Sequence, residues 1–339
     1  MKKILPFLLF AAILSTSCGK KQPAQNDQKI IVAYVIGWDK DSIIPDPQYM
    51  THINYAFAHV TDSFDGIRIG NPDWLKMCVG LKKQKPELKV LLSIGGWGSG
   101  RFSEMAADES NRAKFTADCK RVVDEYGLDG IDIDWEYPTS SEAEISSSPD
   151  DTENYTLLMR DIRKQIGNDK LLTLASDKSA GYIDFRAIDQ YIDFVNVMAY
   201  DMAKCPKHHA GMYRSEMTGR YSCEESIQLH LDAGIPMNKL VFGMPFYGHG
   251  RNEVPFYIDY KEIVKLQGLT PQWDDMAKIP YMTNAEGEVV LNYEIPRSIA
   301  IKCDYIHEKG MKGAMYWEYS ADDYSGPLRK AVYEGVFRK

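Results

Sequence analysis

The chain of 339 residues carries a formal net charge of −8 at neutral pH, and 44% of its residues are hydrophobic and 12% aromatic. This hydrophobic and aromatic content excludes an intrinsically disordered protein. The acidic balance, without a dominant basic segment, argues against a nucleic-acid partner. The length permits either two domains or one large barrel.

The first residues are typical of an export signal. Met1, Lys2 and Lys3 form a basic start, residues 4–14 are apolar, and small residues precede Cys18. The apolar run is too short to span a membrane as a helix. Small residues followed by cysteine resemble a bacterial lipobox, which predicts a signal peptide over 1–17, lipidation of Cys18, secretion across the inner membrane and a lipid anchor in the cell envelope. An ordinary cleaved signal, in which Cys18 is incidental, is the alternative.

Residues 18–29 are polar and lack periodicity, as expected of a tether, and the folded unit is predicted over 30–339. From Ile30 onward, short β-rich runs alternate with helical patterns. The predicted strands are Ile30–Ile36, His52–Phe57, Lys89–Ile94, Gly130–Trp135, Leu171–Ala175, Phe194–Ala199, Leu240–Pro245 and Gly313–Trp317. The clearest predicted helices are Glu109–Tyr126, Asn154–Ile166, Ser222–Ala233 and Pro296–Lys309.

This alternation defines an α/β fold. Several strands are continuous apolar runs, which indicates that helices cover both of their faces. Periodicity alone fits a closed parallel barrel about as well as a doubly wound sheet. Polar and aromatic residues gather at the ends of many strands and not at one switch point, and this favours a TIM (β/α)8 barrel.

The longest spacing separates the seventh and eighth strands and predicts a small α+β insertion at about residues 249–293. Its pattern contains one helix-like stretch, Tyr260–Leu266, and one hairpin over Lys278–Tyr293 with its turn at Asn284–Gly287. An insertion with so few elements should form a low wall.

The cysteines and histidines lack the spacing of a structural metal site, so neither a metal nor a cofactor is expected. Cys205 and Cys223 fall in one inferred loop, where they either pair as a disulfide or remain separate thiols. The adjacent His208 and His209 are interpreted as residues of a polar loop.

The most informative segment is the fourth predicted strand. Because side chains alternate along a strand, Asp132, Asp134 and Glu136 share one face, and Ile133 and Trp135 lie on the other. Three neighbouring carboxylates raise at least one apparent pKa, which can hold an acid ready near neutral pH. A solvated surface strand and a divalent-cation site are the alternatives.

These acids stand in a pattern that resembles family 18 glycoside hydrolases, the chitinase-type enzymes. Asp129–Glu136 matches the family signature Asp-Gly-x-Asp-x-Asp-x-Glu. Five further segments resemble other family motifs in the same order, so the resemblance covers roughly residues 30–330. These segments are Thr51–Phe57, Leu92–Trp97, Val197–Asp201, Phe242–Gly248 and Gly313–Trp317.

The resemblance implies a TIM-type barrel that hydrolyses β-1,4-linked N-acetylglucosamine polymers with retention, using the substrate acetamide as nucleophile. It implies that Glu136 protonates the glycosidic oxygen. Asp134 would orient the acetamide, and Asp132 would share a proton or charge with Asp134. Tyr200 would donate a hydrogen bond to the acetamide carbonyl, and Asp201 would hold the bound sugar.

The resemblance also implies a set of sugar-binding residues, since sugar rings stack on aromatic side chains. Trp38 and Trp273 fit a sugar platform and the core equally well, whereas Trp74 is interpreted as core. Trp135 should point away from the carboxylates unless strand twist brings it to the rim. The expected substrate-binding residues are Tyr34, Phe57, Gly95, Gly96, Trp97, Tyr137, Met198 and Trp317.

Taken together, the pattern predicts an endo-acting chitinase-like hydrolase with a cleft that is shallow on one side. Its partner would be an N-acetylglucosamine-containing polysaccharide or oligosaccharide, and a membrane would be contacted only through the N-terminal lipid. The first alternative is an endo-β-N-acetylglucosaminidase that cuts the chitobiose core of N-glycans. The segment Trp135–Pro138 looks more like a chitinase. A non-catalytic glycan-binding protein is the other alternative, and the retained Glu136 argues against it.

Overall fold

The computed structural model describes residues 28–37 and 42–338. Fourteen strands lie in these ranges. They are β1 (Ile30–Ile36), β2 (His52–Val60), β3 (Ile67–Ile69), β4 (Lys89–Gly95), β5 (Gly130–Asp134), β6 (Leu171–Ser176), β7 (Phe194–Val197), β8 (Leu240–Pro245), β9 (Tyr247–Gly250), β10 (Tyr257–Asp259), β11 (Thr270–Asp274), β12 (Ile279–Thr283), β13 (Val289–Asn292) and β14 (Gly313–Trp317).

The helices of the described ranges lie in the connections after the barrel strands, apart from one short helix in the insertion. They are α1 (Pro72–Gly80), α2 (Phe102–Ala107), α3 (Glu109–Tyr126), α4 (Asp151–Ile166), α5 (Phe185–Ile188), α6 (Cys223–Ala233), α7 (Tyr260–Ile263), α8 (Pro296–Lys309) and α9 (Pro327–Phe337). Short polar side chains and glycines determine where several of these helices begin and end. Ser222 caps α6 in a capping box, and left-handed glycines end α3 and α8 at Gly127 and Gly310.

Eight of the strands form a closed parallel barrel in the order β1-β14-β8-β7-β6-β5-β4-β2, with β2 paired back to β1. The predicted TIM-type fold is therefore confirmed. All seven residues of β1 are buried, because alternate side chains enter two different apolar layers. Val32 and Tyr34 point into the barrel interior, whereas Ile31 and Val35 pack in the layer beneath the helices.

The same alternation applies to β5. Ile131 and Ile133 pack in the outer layer with Trp135, so Asp132 and Asp134 face the barrel interior. The expectation that these acids share one face is met. Trp135 is buried, and its ring stacks on Phe102 with ring centroids 5.3 Å apart, so it does not reach the rim.

The insertion is an antiparallel sheet of five strands in the order β10-β9-β13-β12-β11. The predicted hairpin corresponds to β12 and β13, and the predicted helix corresponds to the shorter α7. The expectation of little beyond these two elements is wrong, since β9, β10 and β11 complete the sheet. Trp273 lies on β11 beneath the guanidinium of Arg297, with 3.9 Å from the guanidinium carbon to the ring centroid, and Trp74 packs against the core.

Several sequence-based predictions lie outside the described residues: the signal peptide over 1–17, the lipidation of Cys18, most of the tether and Trp38. Cys205 and Cys223 are separate thiols, so the alternative of a disulfide is not met. Within the described ranges, no helix combines the length and apolar character needed to cross a bilayer.

Candidate active site

A cavity of about 320 Å³ opens where the barrel strands end at their carboxyl termini. Active sites of TIM barrels form at this face. Ten of the predicted site residues line it. They are Tyr34, Phe57, Trp97, Asp134, Glu136, Tyr137, Met198, Tyr200, Asp201 and Trp317.

Asp132 lies beneath the cavity, fully buried, and its carboxylate accepts four hydrogen bonds from side chains of other strands. Oδ2 accepts from Tyr34 and Ser93, each at 2.8 Å, and Oδ1 accepts from Thr173 at 2.5 Å and Asn196 at 3.2 Å. Burial raises the pKa of Asp132, whereas these four hydrogen bonds act to lower it. The donors fix the carboxylate in one orientation.

Asp134 has a different environment, although it lies only two residues further along β5. Its Oδ1 is buried and has no hydrogen-bond partner among the described residues. Burial, followed by the charges of Glu136 and Asp132, raises its pKa well above the ordinary range. A buried carboxyl oxygen without a donor is available to a ligand in the cavity.

Glu136 lies two residues past the end of β5 and lines the same cavity. The pKa of Glu136 is raised from 4.5 to about 7, mainly by burial. A hydrogen bond with Tyr137 acts in the opposite direction, the charges of Asp201 and Asp177 raise the pKa further, and Lys178 lowers it. A carboxyl group with a pKa near 7 can give and take a proton at neutral pH, which is the requirement for a general acid.

Gly95 and Gly96 lie behind these acids, and neither is among the described residues that line the cavity. Both have positive φ, at 130° and 92°. A Cβ on Gly95 would lie 1.9 Å from the carbonyl oxygen of Asp134, and one on Gly96 would lie 2.5 Å from the ring of Phe57. The two glycines therefore position Asp134 and Phe57, and direct sugar contact by the glycines stays a prediction.

Aromatic rings form the walls of the cavity. Trp317 lies nearly parallel to Phe57, with ring centroids 5.5 Å apart and an interplanar angle of 17°. The ring centroid of Tyr34 lies 5.7 Å from that of Trp317. On another side, the exposed Trp97 meets Tyr137 edge-on. Such surfaces suit the apolar C–H faces of sugar rings.

Tyr200 and Asp201 follow β7. Burial raises the pKa of Tyr200 well above its ordinary value, so its hydroxyl is a neutral donor. Asp201 accepts a hydrogen bond from Tyr247 at 2.6 Å, and His249 Nε2 lies 3.0 Å from the same oxygen. Burial acts to raise the pKa of Asp201, but the neighbouring imidazoles of His209 and His249 outweigh it and lower that pKa.

His208 and His209 lie outside the named helices and strands, in a loop as predicted, and both are buried there. His208 is hydrogen-bonded to Asn292 and Asp274. Nδ1 of His209 lies 3.5 Å from Oδ1 of Asp201, and the His209 ring stacks on that of His249. Among the described residues, Asp201, His209 and His249 form a group of metal-ligand side chains whose donor atoms converge.

Sequence reasoning missed part of the cavity lining. Tyr247 and Tyr257 stack on each other at 4.4 Å and belong to the insertion. Tyr247 stands inside the segment that matched the seventh-strand motif, which was a usable signal, whereas nothing in the local pattern distinguished Tyr257. The polar pair Asp177 and Lys178 also lines the cavity, with Nζ of the lysine 2.9 Å from the aspartate.

A barrel that carries neighbouring carboxyl groups under a wall of aromatic rings defines a carbohydrate-cleaving hydrolase. The comparison with known proteins agrees with this class. The family model described as glycosyl hydrolases family 18 matches residues 30–322. The chain belongs to glycosyl hydrolase family 18.

Its relatives include chitinases of bacteria and animals. Chitinase A1 of Niallia circulans is 31% identical over 82% of this chain, and the chain spans 53% of that protein's length. A probable chitinase 2 of Drosophila melanogaster is 30% identical over 90% of this chain and 75% of that protein. Among solved structures, a family 18 N-acetylglucosaminidase of Paenibacillus barengoltzii is 33% identical with a TM-score of 0.81, covering 91% of this chain and 100% of that one.

Proposed function

We propose that this protein hydrolyses β-1,4 bonds in chitin or chito-oligosaccharides, with the acetamide of the substrate as nucleophile. The observation that carries the proposal is the contrast along β5. Asp132 is fixed by four donors, Asp134 offers an unpartnered oxygen to the cavity, and Glu136 has a pKa near 7 in the same cavity. The chitinase relatives support the same substrate class.

In this mechanism, Glu136 transfers its proton to the glycosidic oxygen as the bond from that oxygen to the anomeric carbon breaks. The acetamide oxygen attacks the anomeric carbon from the opposite face and forms a cyclic oxazolinium ion. Asp134 accepts the acetamide N–H and offsets the developing positive charge, and Tyr200 donates to the acetamide oxygen. Water then opens the ring and returns a proton to Glu136. Trp317 and the other rings hold the sugar in place.

The acid is tested with Glu136→Gln, which keeps shape and hydrogen bonding but has no transferable proton. We expect hydrolysis of an unactivated chito-oligosaccharide to fall by about 10²–10⁴-fold, while oligosaccharide binding persists. The matched control is Glu142→Gln, an exposed residue six positions later that does not line the cavity among the described residues. Turnover of Glu136→Gln close to that of the parent protein would sink the assignment.

The nucleophile is tested with the substrate. Fully deacetylated chitosan lacks the acetamide, so it should resist cleavage under conditions that degrade acetylated oligomers. A thiazoline analogue of N-acetylglucosamine should inhibit, because it imitates the charged cyclic intermediate. Efficient cleavage of deacetylated chitosan would rule out acetamide attack.

The mode of attack is proposed to be internal cleavage. Trp97 and Tyr137 follow β4 and β5, whereas Tyr247 and Tyr257 belong to the insertion that follows β8, on the opposite side of the barrel. A sugar chain that reaches both aromatic pairs would extend past Glu136 in both directions. Early products longer than two sugars would support this mode.

Likeness to the Paenibacillus N-acetylglucosaminidase favours a second candidate, removal of single N-acetylglucosamine units from chain ends. Monosaccharide as the only early product from a long oligomer would establish it. A third candidate is cleavage of the chitobiose core of N-glycans. Digestion of a high-mannose glycoprotein beside a chito-oligosaccharide discriminates between these substrates.

We also propose export and lipidation of the chain at Cys18, on the sequence evidence alone. The protein should partition with membranes, and Cys18→Ala should release it or stall its processing. Mass spectrometry that finds an unmodified N-terminus downstream of residue 18 would contradict the anchor without affecting the enzymology.

A further inference from the structure

A cluster of three metal-ligand side chains borders the cavity. Asp201 follows β7, His209 lies in the long connection to α6, and His249 belongs to β9 of the insertion. One donor atom of each residue lies within 4.8 Å of the other two. Oδ1 of Asp201 is 3.0 Å from Nε2 of His249 and 3.5 Å from Nδ1 of His209.

His209 lacks the hydrogen bonds that a buried imidazole needs. The residue is 0% exposed, and neither ring nitrogen has a hydrogen-bond partner among the described residues, since Nδ1 reaches only the 3.5 Å approach to Asp201. A buried polar group without a partner is costly, which indicates a ligand at this position.

The hydrogen bond made by Nδ1 of His249 also indicates a ligand in this cluster. Its Nδ1 lies 3.2 Å from the carbonyl oxygen of Ala203, and because a carbonyl can only accept, Nδ1 carries the hydrogen. Nε2 is then the nitrogen that faces Oδ1 of Asp201, at 3.0 Å. A histidine that donates one N–H to a backbone carbonyl and binds metal with the other nitrogen is a common arrangement in metal sites.

The remaining contacts orient the carboxylate. The hydroxyl of Tyr247 donates to Oδ1 of Asp201 at 2.6 Å, as hydrogen-bonded carboxylate ligands usually require. The Asp201 side chain is 48% exposed and lines the cavity, so a further coordination position would face the cleft.

We propose that Asp201, His209 and His249 bind one transition-metal dication, with Zn²⁺ the best match, and that the bound ion inhibits the enzyme. Two imidazoles and one carboxylate suit Zn²⁺, Co²⁺, Ni²⁺ and Cu²⁺, whereas Mg²⁺ and Ca²⁺ prefer oxygen ligands. Separations of 3.0 and 3.5 Å are those expected of ligands about 2.0–2.1 Å from a shared ion. Inhibition follows because the ion occupies Asp201, and this part rests on the proposed role of Asp201 in holding the sugar.

Binding is tested on the untagged chain after treatment with a chelator. Calorimetric titration with ZnCl₂ should give one ion per chain, CoCl₂ should give the visible absorption of a low-coordinate cobalt site, and MgCl₂ and CaCl₂ should give neither signal. His209→Asn and His249→Asn should abolish the site, whereas His307→Asn on α8 should retain it. Cys205→Ser should also retain the site. Cys205 is the least buried of the described cysteines, so this variant checks that zinc does not bind to an accessible thiol.

A binding site that survives both cluster variants, or no binding by the parent chain, would overturn the proposal. If a histidine variant fails to fold, Tyr247→Phe decides, since loss of its hydrogen bond to Asp201 should weaken zinc binding by about 10–100-fold. An unchanged affinity in Tyr247→Phe would then count against the site.

Glu136→Gln separates this proposal from the proposed function. It should bind zinc as tightly as the parent chain, whether or not Glu136 is the acid. In the parent enzyme, zinc should inhibit hydrolysis of a soluble chito-oligosaccharide over the concentration range in which it binds, and a chelator should restore activity. Tight binding without inhibition would refute the inhibitory role and leave the metal site standing.

Discussion

The pair Asp177 and Lys178 acts on Glu136 with opposite signs. Asp177 raises the pKa of Glu136 and Lys178 lowers it, and the two side chains are paired with each other at 2.9 Å. Lys178→Met removes the cation, so we expect the pKa of Glu136 to rise above about 7. Asp177→Asn removes the anion and leaves the cation, so we expect that pKa to fall.

The size of the effect follows from the protonated fraction of the acid. With the ordinary pKa of 4.5, only about 0.3% of Glu136 would hold a proton at pH 7, whereas a pKa of about 7 leaves roughly half protonated. Burial of Glu136 and the charges around it therefore increase its protonated, active fraction about 150-fold at neutral pH. Above its pKa the acid loses about tenfold in activity per pH unit, so a one-unit shift moves the alkaline limb by that factor.

The assay is kcat/KM for a soluble chito-oligosaccharide between pH 4 and 9, which reports groups of the free enzyme. The parent protein should lose activity on the alkaline side with an apparent pKa near 7. Asp134, Tyr137 and Asp201 also act on this coupled set, and both variants leave them in place. Alkaline limbs that move in the same direction in Lys178→Met and Asp177→Asn, or that do not move, would refute the electrostatic argument.

Two further predictions concern the walls of the site. Gly95→Ala should destabilise the fold far more than Gly127→Ala, because both positions have positive φ but only the first would place a Cβ 1.9 Å from a backbone oxygen. Chemical denaturation should give about 1 kcal/mol for Gly127→Ala and several kcal/mol for Gly95→Ala, and equal losses would contradict the close approach. Trp97→Ala should lower kcat/KM on long oligomers about fivefold, as the loss of one aromatic stack of about 1 kcal/mol requires. Trp97 is 61% exposed, so stability should not change, and Tyr324→Ala, 72% exposed and outside the described cavity lining, should alter neither quantity.

The barrel could be predicted from the sequence because its strands are buried on both faces. All eight predicted strands begin at the observed residue. Six of them, including Ile30–Ile36 and Leu240–Pro245, also end at the observed residue or within one residue of it. The prediction ended β2 three residues early, at Phe57, because the last residues of that strand are held by antiparallel pairing with β3. That pairing partner is only three residues long and has no clear pattern of its own.

The insertion could not be predicted in the same way. Strand β11 is mostly exposed and contains a proline, and β9 contains two glycines, so neither shows an alternating apolar pattern. Their pairing is set by contacts with β12, β13 and β10, which lie elsewhere in the sequence. The aromatic lining from the insertion was missed for the same reason.

The fixation of Asp132 was also beyond sequence analysis. Its four donors come from β1, β4, β6 and β7, between 39 and 98 residues away in the chain, and only closure of the barrel brings them together. The signature motif identified the acids but not their unequal environments. The cluster of Asp201, His209 and His249 likewise depends on the fold, because the insertion supplies one of its members.

The unequal environments of Asp132 and Asp134 predict unequal losses of stability when either acid is removed. Asp132→Ala would leave the hydroxyl and amide donors of four buried side chains without an acceptor, and each unsatisfied donor costs about 1–3 kcal/mol. Asp134→Ala removes a buried carboxyl group whose Oδ1 has no partner among the described residues, so its loss should cost little stability.

Both variants should lose hydrolysis, so activity cannot separate the two roles, whereas denaturant unfolding can. We expect Asp132→Ala to lose more than about 3 kcal/mol of unfolding free energy, and Asp134→Ala to stay within about 1 kcal/mol of the parent protein. A large loss in Asp134→Ala would mean that its carboxyl group stabilises the fold. We expect instead that Asp132 stabilises the fold, whereas Asp134, two residues later, contributes no stability and is retained for the reaction. Active-site residues often have this cost to stability.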